Sequence, residues 1–415
     1  MIGLGRQSPS RASFLRAPLY GALVGLVIGC ACSYVLTRYG LGVVGGRGDR
    51  VFGPAVFARS GLNFYAIQHI TLVGAGAVTD ALGNRTRVTA SMTLPLTIWA
   101  AVPVVALIVG GYAAARAASA RGPRAMMAAA LGAGLIYAAF LGVAARWVEA
   151  LLDTFLLPEV GGFSANPPQI AFRPSGASTF GFGLGFGVVF ACLGGLAAVR
   201  KTGKARTSGP WWACFRAVVA TALVVQLLIA GAVLALAQTR MRADSGSNPR
   251  LVEMLPTAAG LGYAMIHGAT LVSSAESKIA SLNKIDRPFY AEANLYRGVK
   301  RAGEVRPIPA AAGISALLVG AAAALASGRL AARWGSCDGS VPTACRTALI
   351  HTAYVLLMPA LCGVLLKQAD AFSSTTLRIE ADPGGAVLIS FAAVFACSLL
   401  GAHTAGRGGR GAALG

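Results

Sequence analysis

Eight apolar runs fix the class of this chain before any motif is considered. Pro18–Leu36, Pro95–Ala115, Met126–Ala144, Phe180–Val199, Ala217–Ala237, Ala310–Ala326, Ala348–Leu366 and Val387–His403 each hold about 20 residues with almost no charge. That is the length a helix needs to cross the hydrocarbon core of a bilayer. Charged residues make up only 12% of the 415-residue chain, about half the share of a soluble domain, and the mean hydropathy is +0.65. The sequence predicts an all-α polytopic membrane protein with eight transmembrane helices.

The net charge of +21 would suggest nucleic acid in a soluble protein, but its distribution argues otherwise. Arg6, Arg11, Arg16, Arg116, Arg121, Arg124, Arg200, Lys201, Lys204, Arg206, Arg216, Arg329, Arg333, Arg346, Arg407 and Arg410 all flank the runs on one side, with Asp338 as the only acid there. Lys and Arg collect in cytoplasmic loops, so this pattern places both termini in the cytoplasm of a bacterial plasma membrane. Two long outer segments, about 39–92 and 240–307, carry many of the other basic residues, and long translocated loops are largely exempt from the rule. No nucleic-acid partner is expected.

The opening "RASFLRAPLYGALVGLVIGCAC" also has the basic and apolar regions of a signal peptide. Its apolar run continues through Cys32 to Leu36, so a retained span is expected. Of eight cysteines, six fall in or beside the runs, where a thiol packs as a small apolar group. Cys337 and Cys345 fit no zinc spacing, and no structural disulfide is expected.

The chain reads as a duplication. "FLRAPLYGALVGLVIG" (14–29) lines up with "FRAVVATALVVQLLIAG" (215–231), pairing Arg16, Ala22, Leu23 and Val24 with Arg216, Ala222, Leu223 and Val224. Thr37-Arg38 and Thr239-Arg240 close these spans, and "LNFYAIQHITLV" (62–73) and "LGYAMIHGATLV" (261–272) follow. Arg124 and Gly142-Val143 are echoed by Arg346 and Gly363-Val364, and "VFAC" recurs at 189–192 and 394–397. Residues 1–207 and 208–415 are therefore expected to be tandem four-span repeats, the second carrying an extracytoplasmic insertion at about 240–307. An even number of spans preserves orientation, so the repeats are parallel.

Outer segments "RVTASM" (87–92), "QIAFR" (169–173), "GEVRPI" (303–308) and "LRIEAD" (377–382) alternate apolar and polar residues and predict short extracytoplasmic β segments. The apolar segments around His69 and His267 are too short to span and predict interfacial helices. Residues 275–307 have no match in the first repeat. They read either as a partner-binding surface around Phe289, Tyr290 and Tyr296 or, preferably, as a solvated helical insertion.

Candidates for chemistry are few. The middles of the eight runs contain no Asp, Glu, Lys or Arg; Gln226 is the most polar residue there, and Pro359 lies within the seventh run. His69 and His267 occupy near-equivalent places in the repeats and are weak candidates for a shared metal or proton site. The plainer reading, two interfacial histidines, is preferred. His351 and His403 approach the cytoplasmic ends of the last two runs, where they read either as neighbours or, preferably, as helix-end caps. The acids Glu149, Asp153, Glu159, Asp370, Glu380 and Asp382 read as a solvated outer face, and "NRT" (84–86) is a glycosylation triplet only in a cell that uses it. No nucleophile or phosphate-loop motif is present, so no enzyme activity and no cofactor are expected.

The stretch "FGFGLGFG" (180–187) reads as a helix-packing seam, because small residues at every fourth position let helices approach closely. Gly181 and Gly185 form one such pair and Gly183 and Gly187 another, with Ala386, Ser390 and Ala392 as counterparts in the second repeat. This reading predicts that Gly185→Leu disrupts folding. With its proline-led spans and "FGFGLGFGVVFACLGGLAA" (180–198), the chain resembles the streptophobe family of hydrophobic actinobacterial membrane proteins. The resemblance implies an uncharacterised polytopic membrane protein and no activity. The expected role is a non-enzymatic structural or accessory subunit of the membrane, meeting lipid along its spans and a protein partner at its outer loops. The alternative is a transporter or channel for a small solute or lipid, with its path between the repeats.

Overall fold

The computed structural model describes residues 11–39, 54–79, 85–95, 97–153, 169–202, 209–241, 254–279, 284–301, 304–335, 339–369, 373–384 and 386–411. Asn84, Glu159, Cys337, Asp338 and Asp370 lie outside them. The chain forms two compact units, residues 1–94 with 99–206, and residues 95–98 with 207–415. Among the described residues, seven helices are long and apolar enough to cross a membrane, which makes this an integral, multi-pass membrane protein. The eighth run lies on a helix whose described apolar part, Ser390–Ala405, is shorter.

The first unit contains α1 (Arg11–Arg38), α2 (Pro54–Ala66), α3 (Ala101–Ala117), α4 (Pro123–Ala144) and α5 (Gly176–Lys201). Between α3 and α4 the chain reverses at Gly122, whose φ of +94° suits glycine, and Pro123 opens α4 where no amide partner is needed. At the opposite ends lie β1 (Leu72–Thr79), β2 (Arg85–Thr93), β3 (Ala150–Asp153) and β4 (Gln169–Pro174), all antiparallel in the order β3-β4-β1-β2. These strands join helix ends, where backbone groups left without a helical partner pair with each other.

The second unit contains α6 (Pro210–Met241), α7 (Leu255–Ile266), α8 (Ala310–Trp334), α9 (Ser340–Cys362) and α10 (Ala386–Gly411). Its strands are β5 (Thr270–Ile279), β6 (Lys284–Asn294), β7 (Gly298–Arg301), β8 (Glu304–Arg306), β9 (Val364–Ala369) and β10 (Ser373–Asp382). They pair antiparallel in the order β9-β10-β5-β6-β7-β8. The described residues of 275–307 are thus largely paired strands, not the solvated helical insertion expected. Pro288 cannot continue a helix, and it falls where the β5–β6 register shifts between Ala275 and Ser277, a bulge that needs no amide donor.

Both units are held by backbone-on-backbone crossings. A side chain at Gly111 would collide with the Ala191 carbonyl, and one at Gly194 with the Ile108 carbonyl. In the second unit Gly328 meets the Ser398 carbonyl and Gly401 the Leu325 carbonyl. The residues on α8 follow those on α3 by 217 positions, and those on α10 follow those on α5 by 207. At the same places, Gly21 abuts Gly110 in the first unit, while Thr221 and Ser327 share a hydrogen bond of 2.5 Å in the second.

These crossings correct the seam drawn from sequence. Gly183 packs on Leu141 and Gly187 on the Gly134 carbonyl, but the space beside Gly181 and Gly185 is open. The α5 face against its neighbours therefore runs through Gly183, Gly187, Ala191 and Gly194, and α10 presents Ser390, Val394, Ser398 and Gly401 at the same spacing. Ala392 is exposed, Ser390 is buried, and of Ala386 only the backbone is described. Alternate glycines point to both sides of a helix, so only one of the two interleaved pairs can face a partner. Gly194→Leu is expected to cost well over 1 kcal/mol and to abolish a cooperative melt in detergent, while Gly185→Leu leaves the melting temperature unchanged.

Candidate functional site

The most polar interior in the second unit is built where α7 ends. His267 closes α7, and Gly268 follows with φ of +93°, its amide bonding the Met265 carbonyl at 2.9 Å. This left-handed residue turns the chain into β5 and leaves the His267 ring against α8, α9 and α10. Its Cε1 lies close to Gly320 of α8, its Nε2 is 3.1 Å from Nε2 of His351 on α9, and its Nδ1 is 3.4 Å from Oγ of Ser390 on α10. The Tyr263 hydroxyl, one turn back on α7, is 3.0 Å from the same His351 nitrogen. The imidazole centroids are 4.6 Å apart, and Tyr263 packs tilted against both rings and edge-on against Tyr354. Tyr354 donates to Gln226 Oε1 at 3.1 Å, and the Gln226 amide reaches Met358 Sδ at 3.4 Å.

Two bare imidazole nitrogens at 3.1 Å would repel, so a proton lies between them on one ring or the other. His351 is fully buried, and its Nδ1 has no hydrogen-bond partner. Whichever tautomer His351 adopts, one polar atom of the ring is left unpaired in the core, at a cost of about 1–3 kcal/mol. Tyr263 and His267 thus converge on one nitrogen, His351 Nε2, which holds either a proton or a lone pair, and Ser390 meets the other nitrogen of His267. His267 lies outside the seven spans, and burial lowers its basicity to about 4.

The first unit builds the same corner with a different group. There the left-handed residue is His69 itself, with φ of +62°, and Gln68 precedes it as His267 precedes Gly268. The counterpart of His267 is thus Gln68, and His69 corresponds to Gly268. Gln68 accepts from the Tyr137 hydroxyl at 2.9 Å and donates to the Phe64 carbonyl at 2.9 Å. His69 is buried and donates from Nδ1 to the Leu94 carbonyl at 2.6 Å, with its ring edge against Phe182. Of the two candidate histidines, His69 is buried and His267 half-buried. Among the described residues no three of His, Cys, Asp and Glu come together, fewer than the four ligands of a structural zinc.

The position of His351 also departs from the sequence expectation. Placing the seventh span at Ala348–Leu366 puts His351 near its end, but α9 runs from Ser340 to Cys362 and His351 is at mid-helix. The apolar "VLL" of β9 had extended the run beyond the helix. His351 is therefore not the helix-end cap expected of it, and no motif marks Tyr263 or Tyr354; the signal in the sequence was an imidazole inside a helix with one arginine and no acid. Tyr263→Phe removes one neutral hydrogen bond and is expected to cost about 0.5–1.5 kcal/mol of stability. Because folded His267 takes a proton less readily than the unfolded chain, stability is full above about pH 6.5 and falls toward pH 4. Melting temperatures measured across that window should lose part of this slope in His267→Gln.

Compared with models of protein families, with curated proteins and with solved structures, the chain matches none.

Proposed function

We propose that the protein is a non-enzymatic structural or accessory subunit of a bacterial plasma membrane, of the streptophobe type and built from two copies of a four-span unit. The observation that carries this reading is the repetition of the same crossings, Gly111–Ala191 and Gly194–Ile108 in one unit and Gly328–Ser398 and Gly401–Leu325 in the other. The strands support it too, since β3-β4-β1-β2 and β9-β10-β5-β6 share one order of pairing. Backbones locked against each other suit a rigid scaffold better than a helix pair that must slide. In this reading the protein has eight spans and cytoplasmic termini, and the strands form an outer cap that meets a partner.

A second reading is a transporter or channel for a small solute or lipid. It is favoured by the His267–His351 pair, because ionisable groups inside a membrane bundle commonly mark ion and proton pathways. Reconstitution into liposomes separates the two. The scaffold reading expects no proton or solute flux above that of empty vesicles and an interacting protein recovered by crosslinking at the outer strands. Flux that is lost in His351→Leu would favour the transporter. Reporter fusions should place residue 415 in the cytoplasm and the β5–β8 hairpins outside it.

A further inference from the structure

Where α6 begins, α8 ends and α9 begins, the second unit gathers tryptophan and arginine. The Arg216 guanidinium of α6 lies over the Trp334 ring of α8 at 4.7 Å, and Arg346 of α9 lies over Trp211 of α6 at 5.8 Å. The helices are in contact beneath these pairs, where Cys214 and Ala217 of α6 pack on Ala331 of α8 and the Cys214 thiol reaches the Thr343 carbonyl of α9. Arg329 and Arg333 lie on the last two turns of α8, and the three helices contain no acidic residue. Trp211, Trp334 and Arg216 are exposed.

Tryptophan settles at the level of the lipid headgroups, so rings at these helix ends fix the depth of the guanidinium groups. A guanidinium stacked on a ring uses its flat face and keeps its in-plane N–H groups directed outward. That edge matches the oxygens of a phosphate. We propose that Arg216 and Arg346, held by Trp334 and Trp211, bind the phosphate of an anionic phospholipid at this end of the second unit. The first unit supplies the contrast. Arg16 and Arg124 stand at the places of Arg216 and Arg346, but Arg11 and Ala117 occupy those of Trp211 and Trp334. Its arginines therefore attract the same lipids without tryptophan at those two places.

The test uses the full chain in nanodiscs of phosphatidylcholine containing phosphatidylglycerol, with native mass spectrometry of the released protein. Wild type is expected to retain phosphatidylglycerol, and Arg216→Gln with Arg346→Gln to retain it about 30-fold more weakly. Arg16→Gln with Arg124→Gln removes the same charge and should retain it as wild type does. Arg216→Lys with Arg346→Lys preserves charge and guards against misfolding; it should retain less lipid at an unchanged melting temperature. Equal retention by the two glutamine pairs would overturn the proposal. So would displacement of the lipid by inorganic phosphate in excess, which would mark a site for the free anion.

Discussion

Helices in a bilayer gain nothing from hiding apolar surface from each other, because lipid tails already cover it. What joins them is the close approach of backbones, and that approach is open only where side chains are absent or very small. In this protein each unit depends on a few such places. Ala191 and Ile108 present carbonyls to glycines across the α3–α5 crossing, and Ser398 and Leu325 do so across α8–α10. Where Gly21 and Gly110 touch in the first unit, Thr221 and Ser327 share a proton in the second, so one copy closes by bare contact and the other by a hydrogen bond.

The two corners that follow the short apolar helices differ in the same spirit. An amide such as Gln68 has one end that donates and one that accepts, so its bonds to Tyr137 and Phe64 have a single arrangement. In an imidazole pair the donor is set by the tautomer, so either ring can carry the proton between them. The left-handed position is also taken differently. Gly268 adopts it without strain, whereas His69 does so with its Nδ1–H anchored on Leu94.

Membrane class and helix content were legible because twenty-residue apolar runs have one physical use. The order of the elements was legible in part from matched segments such as "LNFYAIQHITLV" and "LGYAMIHGATLV". Finer registers were not. In Ala- and Gly-rich helices a string match such as "VFAC" at 205 residues says nothing about which side faces a neighbour, and the packed faces are offset by 207. The site was obscured for a different reason. Hydropathy merges a helix with the apolar strand that follows it, so α9 and β9 read as one run and His351 moved toward its edge. Residues 284–294 fall in the segment read as a helical insertion, and pairing with β5 and β7 makes them a strand.

The strand arrays end in an informative way. β3 has four residues and β8 only three, Glu304, Val305 and Arg306, all exposed and with the two charged ends 3.7 Å apart. Short, charged edges discourage another strand from adding to the array. At these two edges, then, little backbone is offered for another strand to extend.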